Sequence, residues 1–384
     1  MTDPRIQRLA HTMVHYSVSI QPGENVALLG DMTGLPLLHE LYKEIILAGA
    51  NCAFVPFDGV RNMSYAVVFA DADMADFLLR NGNPSQLAWT PPMERWIRDE
   101  SDATIIVRSS ANTRRSSSIP PQVSADRSVS RRKYRQDLLR SAGGNPSGTP
   151  ERWSVTLFPT EALAQEADMS LREFEDFAYR ACFADQPDPI QSWRDLAARQ
   201  QKYVDWLAGR KRIELHGPNI AMTLSIEGRT FINSTATHNM PSGEIFTGPV
   251  EKSVNGWVRF SYPAIRDGRA VEGAALTFEQ GKVVKASAQK NEDYLLAQLD
   301  SDPGARYLGE WAIGTNYGIN RFIGNILFDE KIGGTIHMAL GNSYEETGGK
   351  NKSAIHWDML CDMRQDSEII VDGDLLYKNG QFVI

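Results

Sequence analysis

Hydrophobic and polar positions in the N-terminal half alternate between helical spacing and short apolar runs. Between residues 3 and 20 the apolar positions fall on one helical face, which predicts an amphipathic helix; they are Ile6, Leu9, Met13, Val14 and Val18. Apolar runs at 25–30, 50–56 and 103–108 predict buried strands, and the segments at 35–50, 74–81 and 93–100 predict helices. Because strands that alternate with helices form βαβ units, we expect a parallel sheet.

The segment at residues 30–34, GDMTG, follows the first predicted strand and has a glycine at each end. It matches neither GxGxxG nor GxxxxGK[ST], the glycine-rich patterns that hold nucleotide phosphates. We therefore expect an ordinary turn between strand and helix, and no nucleotide cofactor.

Residues 109–149 are rich in Ser, Arg, Gly and Pro, and Arg114, Arg115 and the run at 131–133 make them locally basic. We expect a solvated loop followed by a helix at 129–141; the alternative is a basic patch that binds an acidic group of a substrate. Segments 171–184 and 190–207 are strongly helical. The second places four large side chains on its buried side: Trp193, Leu196, Tyr203 and Leu207.

From residue 212 the pattern changes to period-two strands and hairpins, including IELHG, MTLSIEG, AALTFEQGKVVKASA and GTIHMALG. The predicted fold class is therefore α/β, with an N-terminal parallel-sheet βαβ domain and a C-terminal, mainly β (α+β) metal-binding domain. We place the domains at residues 1–208 and 209–384.

Composition and charge exclude several classes of protein. The chain has 384 residues with a formal net charge of -8, which disfavours a nucleic-acid binder held by phosphate contacts. Three cysteines without a CxxC pair indicate a reducing compartment. No signal peptide is recognisable, and no apolar run approaches the ~18 residues that cross a bilayer. We expect a cytoplasmic protein with no membrane partner.

Side chains able to bind metal concentrate in the β-rich part: Glu244, Glu310, Glu330, His337, His356 and Asp358. His356 and Asp358 are two positions apart, so in a strand both project from one face and can approach one ion. Imidazole mixed with carboxylate suits Zn, Co or Mn better than Ca or Mg. Two divalent ions would balance the four carboxylates, and two metals that share a water molecule lower its pKa, which is hydrolytic chemistry.

These motifs carry a family resemblance. NMPSGEIFTGP, GEWAIGTN, DEKIGGTIHMALG, YEETGGKNKSAIHWDM and EIIVDGDLLYKNGQF occur in this order. Together with NVALLG and PTEALAQEADMSLREFEDFAYRAC they resemble the thermophilic aminopeptidases, the group of aminopeptidase T, aminopeptidase S and PepS, over nearly the whole chain. The resemblance implies a homodimeric metallo-aminopeptidase that removes N-terminal residues from peptides with two divalent metal ions.

Carried over by position, the six metal-capable residues match the family's ligands, and Tyr344 matches a tyrosine at the metal centre. Our mechanistic hypothesis is that Glu310 bridges the metals and that Glu244 binds a metal or acts as the base. Tyr344 either donates a hydrogen bond to the oxyanion or only packs in its loop. Glu330 is the least secure ligand, because many members have DENxxxH whereas Glu330 precedes His337 by two residues more.

Other residues near these motifs have two interpretations each. His238 either supports the metal ligands or is a plain turn histidine. Three lysines either bind a substrate carboxylate or, as we expect, lie on a solvated face: Lys331, Lys350 and Lys352.

Two other functions stay open. Relatives on the same fold are ring-cleaving dioxygenases of dihydroxypyridines, and His337, His356 and Asp358 alone would make a 2-His-1-carboxylate iron site. Glu244 and Glu310 favour the dinuclear hydrolase instead. A non-catalytic scaffold would lack ligands, and none is missing.

Overall fold

The structure, a computed structural model, describes residues 3–53, 77–78, 80–89, 100–114, 123, 152–266 and 268–384. The helix predicted at 129–141 lies outside these residues, as do the basic run at 131–133, Arg115 and parts of the helices predicted at 74–81 and 93–100. The described chain forms two compact units. One comprises Met1–Ser192 with Ala236–Met240, and the other comprises Trp193–Thr235 with Pro241–Ile384.

The N-terminal unit is built on a five-stranded parallel sheet with the order β2-β1-β3-β4-β8. Its strands are β1 (Asn25–Gly30), β2 (Asn51–Ala53), β3 (Ala103–Arg108), β4 (Arg152–Leu157) and β8 (Asn239–Met240). Its described helices are α1 (Pro4–Thr12), α2 (Leu35–Leu47), α3 (Pro84–Ala88), α4 (Glu161–Glu166) and α5 (Leu171–Ala181). The parallel sheet predicted from the βαβ pattern is confirmed.

Local signals explain where these helices begin. Asp3 caps α1, which continues through a π-helical turn over Met13–Ser17. Asp31 caps a short 3-10 turn over Met32–Gly34, so GDMTG is the turn between β1 and α2. Ser170 and Glu173 form a capping box at the start of α5, and such a cap contributes about 1 kcal/mol.

Helix α6 (Pro189–Leu207) begins in the N-terminal unit and continues into the C-terminal one. Three of the four side chains predicted on its buried side are buried, namely Trp193, Leu196 and Leu207. Among the described helices, none is both long and apolar enough to cross a lipid bilayer.

The C-terminal unit contains two antiparallel sheets and a hairpin. The larger sheet has the order β14-β13-β10-β6-β5-β18-β19-β20, the smaller has the order β17-β16-β15-β9-β7, and β11 pairs with β12. The first strands are β5 (Arg212–Gly217), β6 (Ile220–Ser225), β7 (Ile232–Ser234), β9 (Glu244–Thr247), β10 (Asn255–Arg259), β11 (Ala264–Arg266), β12 (Arg269–Val271), β13 (Ala275–Glu279) and β14 (Lys282–Ser287). The others are β15 (Leu308–Gly314), β16 (Thr335–Gly341), β17 (His356–Asp362), β18 (Glu368–Val371), β19 (Asp374–Lys378) and β20 (Gln381–Phe382).

Two short helices, α7 (Glu292–Leu299) and α8 (Ile326–Asp329), connect these strands. One continuous apolar core fills this unit and includes Ile213, Val258, Leu276, Trp311 and Met338. The fold class predicted from the sequence, a parallel α/β part followed by a mainly β part, is confirmed.

Candidate metal centre

Four neighbouring strands of the smaller sheet bring the predicted residues to one face. Glu244 of β9 pairs with Gly314 of β15. Between β15 and β16, Ala339 pairs with Glu310 and Ala312 with His337; between β16 and β17, Ala339 pairs with Asp358 and Gly341 with His356. Because side chains alternate along a strand and paired residues share a face, five metal-capable side chains project together: Glu244, Glu310, His337, His356 and Asp358.

Four of the positions between these side chains are small, Phe246 and Leu360 lie on the same face, and the opposite face is apolar. Ala312, Gly314, Ala339 and Gly341 stand between the polar side chains and leave space above the sheet. A Cβ at Gly314 would lie 2.2 Å from the Ile332 carbonyl oxygen, so this position excludes every side chain. The alternate positions belong to the core: Trp311, Ile313, Ile336, Met338, Leu340, Trp357, Met359 and Cys361.

The carboxylate of Glu310 lies between two imidazoles. Its Oε1 is 3.2 Å from Nε2 of His337, and its Oε2 is 3.4 Å from Nε2 of His356. Oε2 of Glu244 lies 3.3 Å from Nε2 of His337, and Oδ1 of Asp358 lies 3.6 Å from Nε2 of His356. Glu310 is therefore the central residue of the cluster.

Glu330 joins the cluster from the C-terminal end of α8. One potential ligand atom from each of Glu330, His337 and Asp358 lies within 4.8 Å of the other two. The extra residues between Glu330 and His337 therefore do not carry Glu330 away from the other predicted side chains. All six predicted metal-capable residues come together in the structure.

Lys331 corrects one expectation. We expected a solvated lysine, but Lys331 is 0% exposed. Its Nζ lies 2.9 Å from Oε1 of Glu244 and also forms an ion pair with Glu330. A lysine is buried only when its charge is paired, and the partner carboxylate of Glu244 comes from a distant strand, so sequence spacing gave no sign of the pairing.

The cluster is short of positive charge. Burial raises the pKa of Glu330 to about 7, with the Glu244 carboxylate acting in the same direction and the Lys331 ammonium against it. Burial by itself would lower the pKa of His337, but the Glu310 and Glu244 carboxylates outweigh it and raise this pKa to about 9. Both raised pKa values favour protonation, because the ammonium group of Lys331 does not neutralise the four carboxylates of the cluster.

The donor set fits divalent metal ions. Oε2 of Glu244 and Oδ1 of Asp358 are buried, and neither has a hydrogen-bond partner in the part of the chain that the structure describes. Nδ1 of His356 lies 2.8 Å from the Asn342 carbonyl oxygen, which can only accept, so Nδ1 carries the proton and Nε2 can present a lone pair to a metal. Carboxylate oxygens and imidazole nitrogens that converge on one space are the ligands that zinc, cobalt and manganese bind.

A buried glutamine fixes the backbone at Glu244. Nε2 of Gln200 donates to the carbonyl oxygens of Ser234 and Glu244, at 3.0 and 3.2 Å. Its Oε1 accepts a hydrogen bond of 2.6 Å from the hydroxyl of Thr315. Sequence reasoning missed Gln200, because a glutamine on an amphipathic helix resembles a solvated one.

The chain bends at residues 241–243, directly before Glu244. Gly243 has a φ of +114°, and a Cβ there would lie 2.7 Å from the Asn316 Cβ. The Asn316 amide in turn donates to the Ser242 carbonyl oxygen at 2.9 Å. Only glycine fits this position, so the turn directs the Glu244 side chain toward the cluster.

Tyr344 stands at the rim of the centre. Its ring packs edge-on against His356, with centroids 5.2 Å apart, and the residue is 44% exposed. Lys350 and Lys352 are exposed, and Lys352 pairs with Glu345, as expected for a solvated face. His238 packs edge-on against Trp153 within the N-terminal unit.

Comparison with known proteins decides the family. A family model described as "Thermophilic metalloprotease (M29)" matches residues 2–382. The chain belongs to this metalloprotease family. The family predicted from the sequence motifs is therefore confirmed. Membership in the thermophilic metalloprotease family also implies a divalent metal.

Characterised relatives are similar over almost their full length. Aminopeptidase 2 of Geobacillus stearothermophilus is 27% identical, covering 97% of this chain and 94% of its own. Aminopeptidase T of Thermus thermophilus is 26% identical, and the match covers 98% of this chain and 95% of the relative. Aminopeptidase PepS of Streptococcus thermophilus is 25% identical, covering 99% and 98%. The metalloprotease family and these names together indicate a metallo-aminopeptidase, so the enzyme class predicted from the sequence is confirmed.

Solved structures support the fold. Wild-type AmpT from Thermus thermophilus has a TM-score of 0.83 with 22% identity and covers 99% of both chains. A 2,5-dihydroxypyridine dioxygenase from Pseudomonas putida KT2440 has a TM-score of 0.54 with 14% identity, covering 98% of this chain and 96% of its own. The second likeness concerns the fold alone, and the metalloprotease match separates this chain from the dioxygenase alternative.

Proposed function

We propose that the chain removes N-terminal residues from peptides and that six side chains hold the two divalent ions required: Glu244, Glu310, Glu330, His337, His356 and Asp358. The observation that carries this proposal is the convergence of four carboxylates and two imidazoles above one face of a sheet. Two divalent ions bound there would lower the pKa of a water molecule and polarise the scissile carbonyl.

The number of ligand groups supports two ions. Three groupings place their potential ligand atoms within 4.8 Å of one another: Glu244 with Glu310 and His337, Glu310 with His356 and Asp358, and Glu330 with His337 and Asp358. Glu310 offers Oε1 toward His337 and Oε2 toward His356. Glu310 is thus common to two of the groupings that would hold the ions. One iron ion would need only three of these ligands, so the additional carboxylates favour the hydrolase over the dioxygenase.

Glu244 is suited to moving a proton. Lys331 holds its Oε1 at 2.9 Å, whereas its buried Oε2 has no hydrogen-bond partner in the described residues. One oxygen is thus fixed and the other can accept a proton from the attacking water and pass it to the leaving amine, if Glu244 acts as the base and not as a ligand.

The remaining residues position the substrate. The cluster, once it holds its divalent ions, would bind the unprotonated amine of a free N-terminus, which gives a physical reason for selectivity against internal peptide bonds. Tyr344 is exposed at the rim beside His356, which supports its role as a hydrogen-bond donor to the oxyanion of the tetrahedral intermediate.

Hydrolysis of aminoacyl-p-nitroanilides by protein reloaded with Zn, Co or Mn tests this function. We expect release of p-nitroaniline from substrates with a free α-amine, and no release from the same compounds after N-acetylation. Absence of hydrolysis with every metal, or equal hydrolysis of the blocked substrates, would refute the proposal.

A further inference from the structure

A second group of metal-capable side chains lies on the surface of the N-terminal unit. His11 is on α1, His15 is on the π-helical turn that continues α1, and Glu44 is on α2. The two helices pack together through buried apolar side chains such as Leu9 and Leu41. This packing fixes the backbones that carry the three polar side chains.

Both imidazoles face one carboxylate oxygen. Nδ1 of His11 lies 3.0 Å and Nε2 of His15 lies 3.1 Å from the same atom, Oε2 of Glu44. Ligand atoms at about 2.1 Å from a tetrahedral zinc ion are about 3.4 Å apart. The three potential ligand atoms all lie within 4.8 Å of one another, so small side-chain rotations place them around one ion.

The backbone provides an independent indication of a site. Residues four apart in a helix share one face, which brings His11 and His15 together, and their ring centroids are 4.3 Å apart. The helix is π-helical at Met13–Ser17, where it carries His15. Single π-helical turns within α-helices occur frequently at functional sites.

The group is open to solvent. The side chains of His11, His15 and Glu44 are 53%, 34% and 23% exposed, so an ion can reach them without an opening motion. Two imidazoles and one carboxylate suit zinc, nickel or copper, whereas calcium and magnesium prefer oxygen ligands.

We propose that His11, His15 and Glu44 form a second binding site, for one transition-metal ion of the zinc, nickel or copper class. Three protein ligands leave coordination positions for water, so the ion is exchangeable. The bound ion links the α1 segment to α2 and stabilises their contact. None of the three residues belongs to the proposed peptidase centre, so the site does not depend on the proposed function.

Metal counting against a matched control tests the site. The wild-type chain, the double variant His11→Ala with His15→Ala, and the control His216→Ala are dialysed to equilibrium against buffer that contains Zn²⁺ and then subjected to elemental analysis. His216 is also an exposed histidine beside a carboxylate, with Nε2 3.8 Å from Oε2 of Glu214. Ions at the peptidase centre are common to all three proteins and cancel in the comparison.

We expect the double variant to hold one zinc ion per chain fewer than the wild type, and the control to match the wild type. On immobilised Ni²⁺ the untagged double variant should also elute earlier. Glu44→Gln, which removes the charge but keeps the size of the side chain, should weaken Zn²⁺ binding with the helices intact. Equal zinc content in wild type and double variant, or an equal loss in the control, would overturn the site.

Discussion

The ammonium of Lys331 lies 2.9 Å from Oε1 of Glu244, and both side chains are buried. The pair fixes one oxygen of Glu244 and leaves the other facing His337. A lysine in this position is a permanent cation among the carboxylates, and it supplies part of the charge that a metal ion would otherwise have to balance.

Replacing Lys331 with methionine tests this pairing. The change keeps the length of the side chain and removes its charge, which leaves Glu244 and Glu330 buried without their ammonium partner. We expect the metal-free protein to lose about 3–5 kcal/mol of unfolding free energy, as when one partner of a buried ion pair is removed. Urea denaturation measures the change.

The control for this variant is Lys350→Met, at an exposed lysine, which should alter stability by less than about 0.5 kcal/mol. If both variants unfold at the same urea concentration as the wild type, Lys331 has no electrostatic role in the centre.

Glu244→Gln tests the proton-transfer role. Glutamine keeps the shape of the side chain and can still contact Lys331, but it cannot take up a proton. If Glu244 is the base and not a ligand, we expect a fold and metal content like those of the wild type and a fall in kcat of about 10²–10⁴-fold, the usual contribution of a general base. Turnover near the wild-type rate would remove Glu244 from the mechanism. Loss of metal with the activity would assign it to metal binding instead.

Ala339→Leu tests whether the small residues on the site face make room for the centre. Ala339 pairs with both Glu310 and Asp358, so a leucine there projects between two proposed ligands without replacing either. We expect the variant to bind fewer metal ions and to lose activity, with an overpacking cost of about 1–3 kcal/mol. Elemental analysis and p-nitroanilide hydrolysis provide the two measurements.

Met338→Leu is the matched control, because it lies in the same strand on the apolar core face. A swap of similar volume should cost less than about 1.5 kcal/mol and leave the metal content unchanged. Full metal content and activity in Ala339→Leu would show that the metal centre does not require a small residue at this position.

Gln200→Ala tests the support of the Glu244 backbone. The variant removes hydrogen bonds to the Ser234 and Glu244 carbonyls and from Thr315. A misplacement of about 1 Å costs on the order of 10² in rate, so we expect kcat to fall with little change in KM. Gln201→Ala, at the exposed neighbour, should keep kcat; an equal loss in the two variants would contradict a specific role for Gln200.

Patterns of period two located much of the site from the sequence. The strand GTIHMALG was predicted, and the spacing of His356 and Asp358 correctly placed both side chains on one face of a strand. Leu308–Gly314, which carries Glu310, was not among the predicted strands. Its mixture of small, apolar and charged residues does not by itself predict a strand. The strand is evident only from its pairing with β16, where Ala312 and Ala339 lie on the face of the sheet that carries the site.

Other features depend on contacts between distant parts of the chain. The pairing of Lys331 with Glu244, and the burial of Gln200 beneath the same residue, arise only when separate elements fold together. Strand β4 was missed, and so was β8, a two-residue strand that pairs with β4 although its flanking segments belong to the C-terminal unit. The spacing of residues along the sequence does not indicate that a two-residue segment within the C-terminal part of the chain pairs with a strand of the N-terminal unit.

The most direct test of the proposed centre is the number of metal ions that it holds. The double variant His11→Ala with His15→Ala, which keeps all six proposed ligands of the centre, is stripped of metal, reloaded with Zn, Co or Mn, and assayed for metal per chain and for hydrolysis of aminoacyl-p-nitroanilides. The account predicts two divalent ions per chain and activity that returns as they bind. A single divalent ion per chain, or full activity without bound metal, would contradict it.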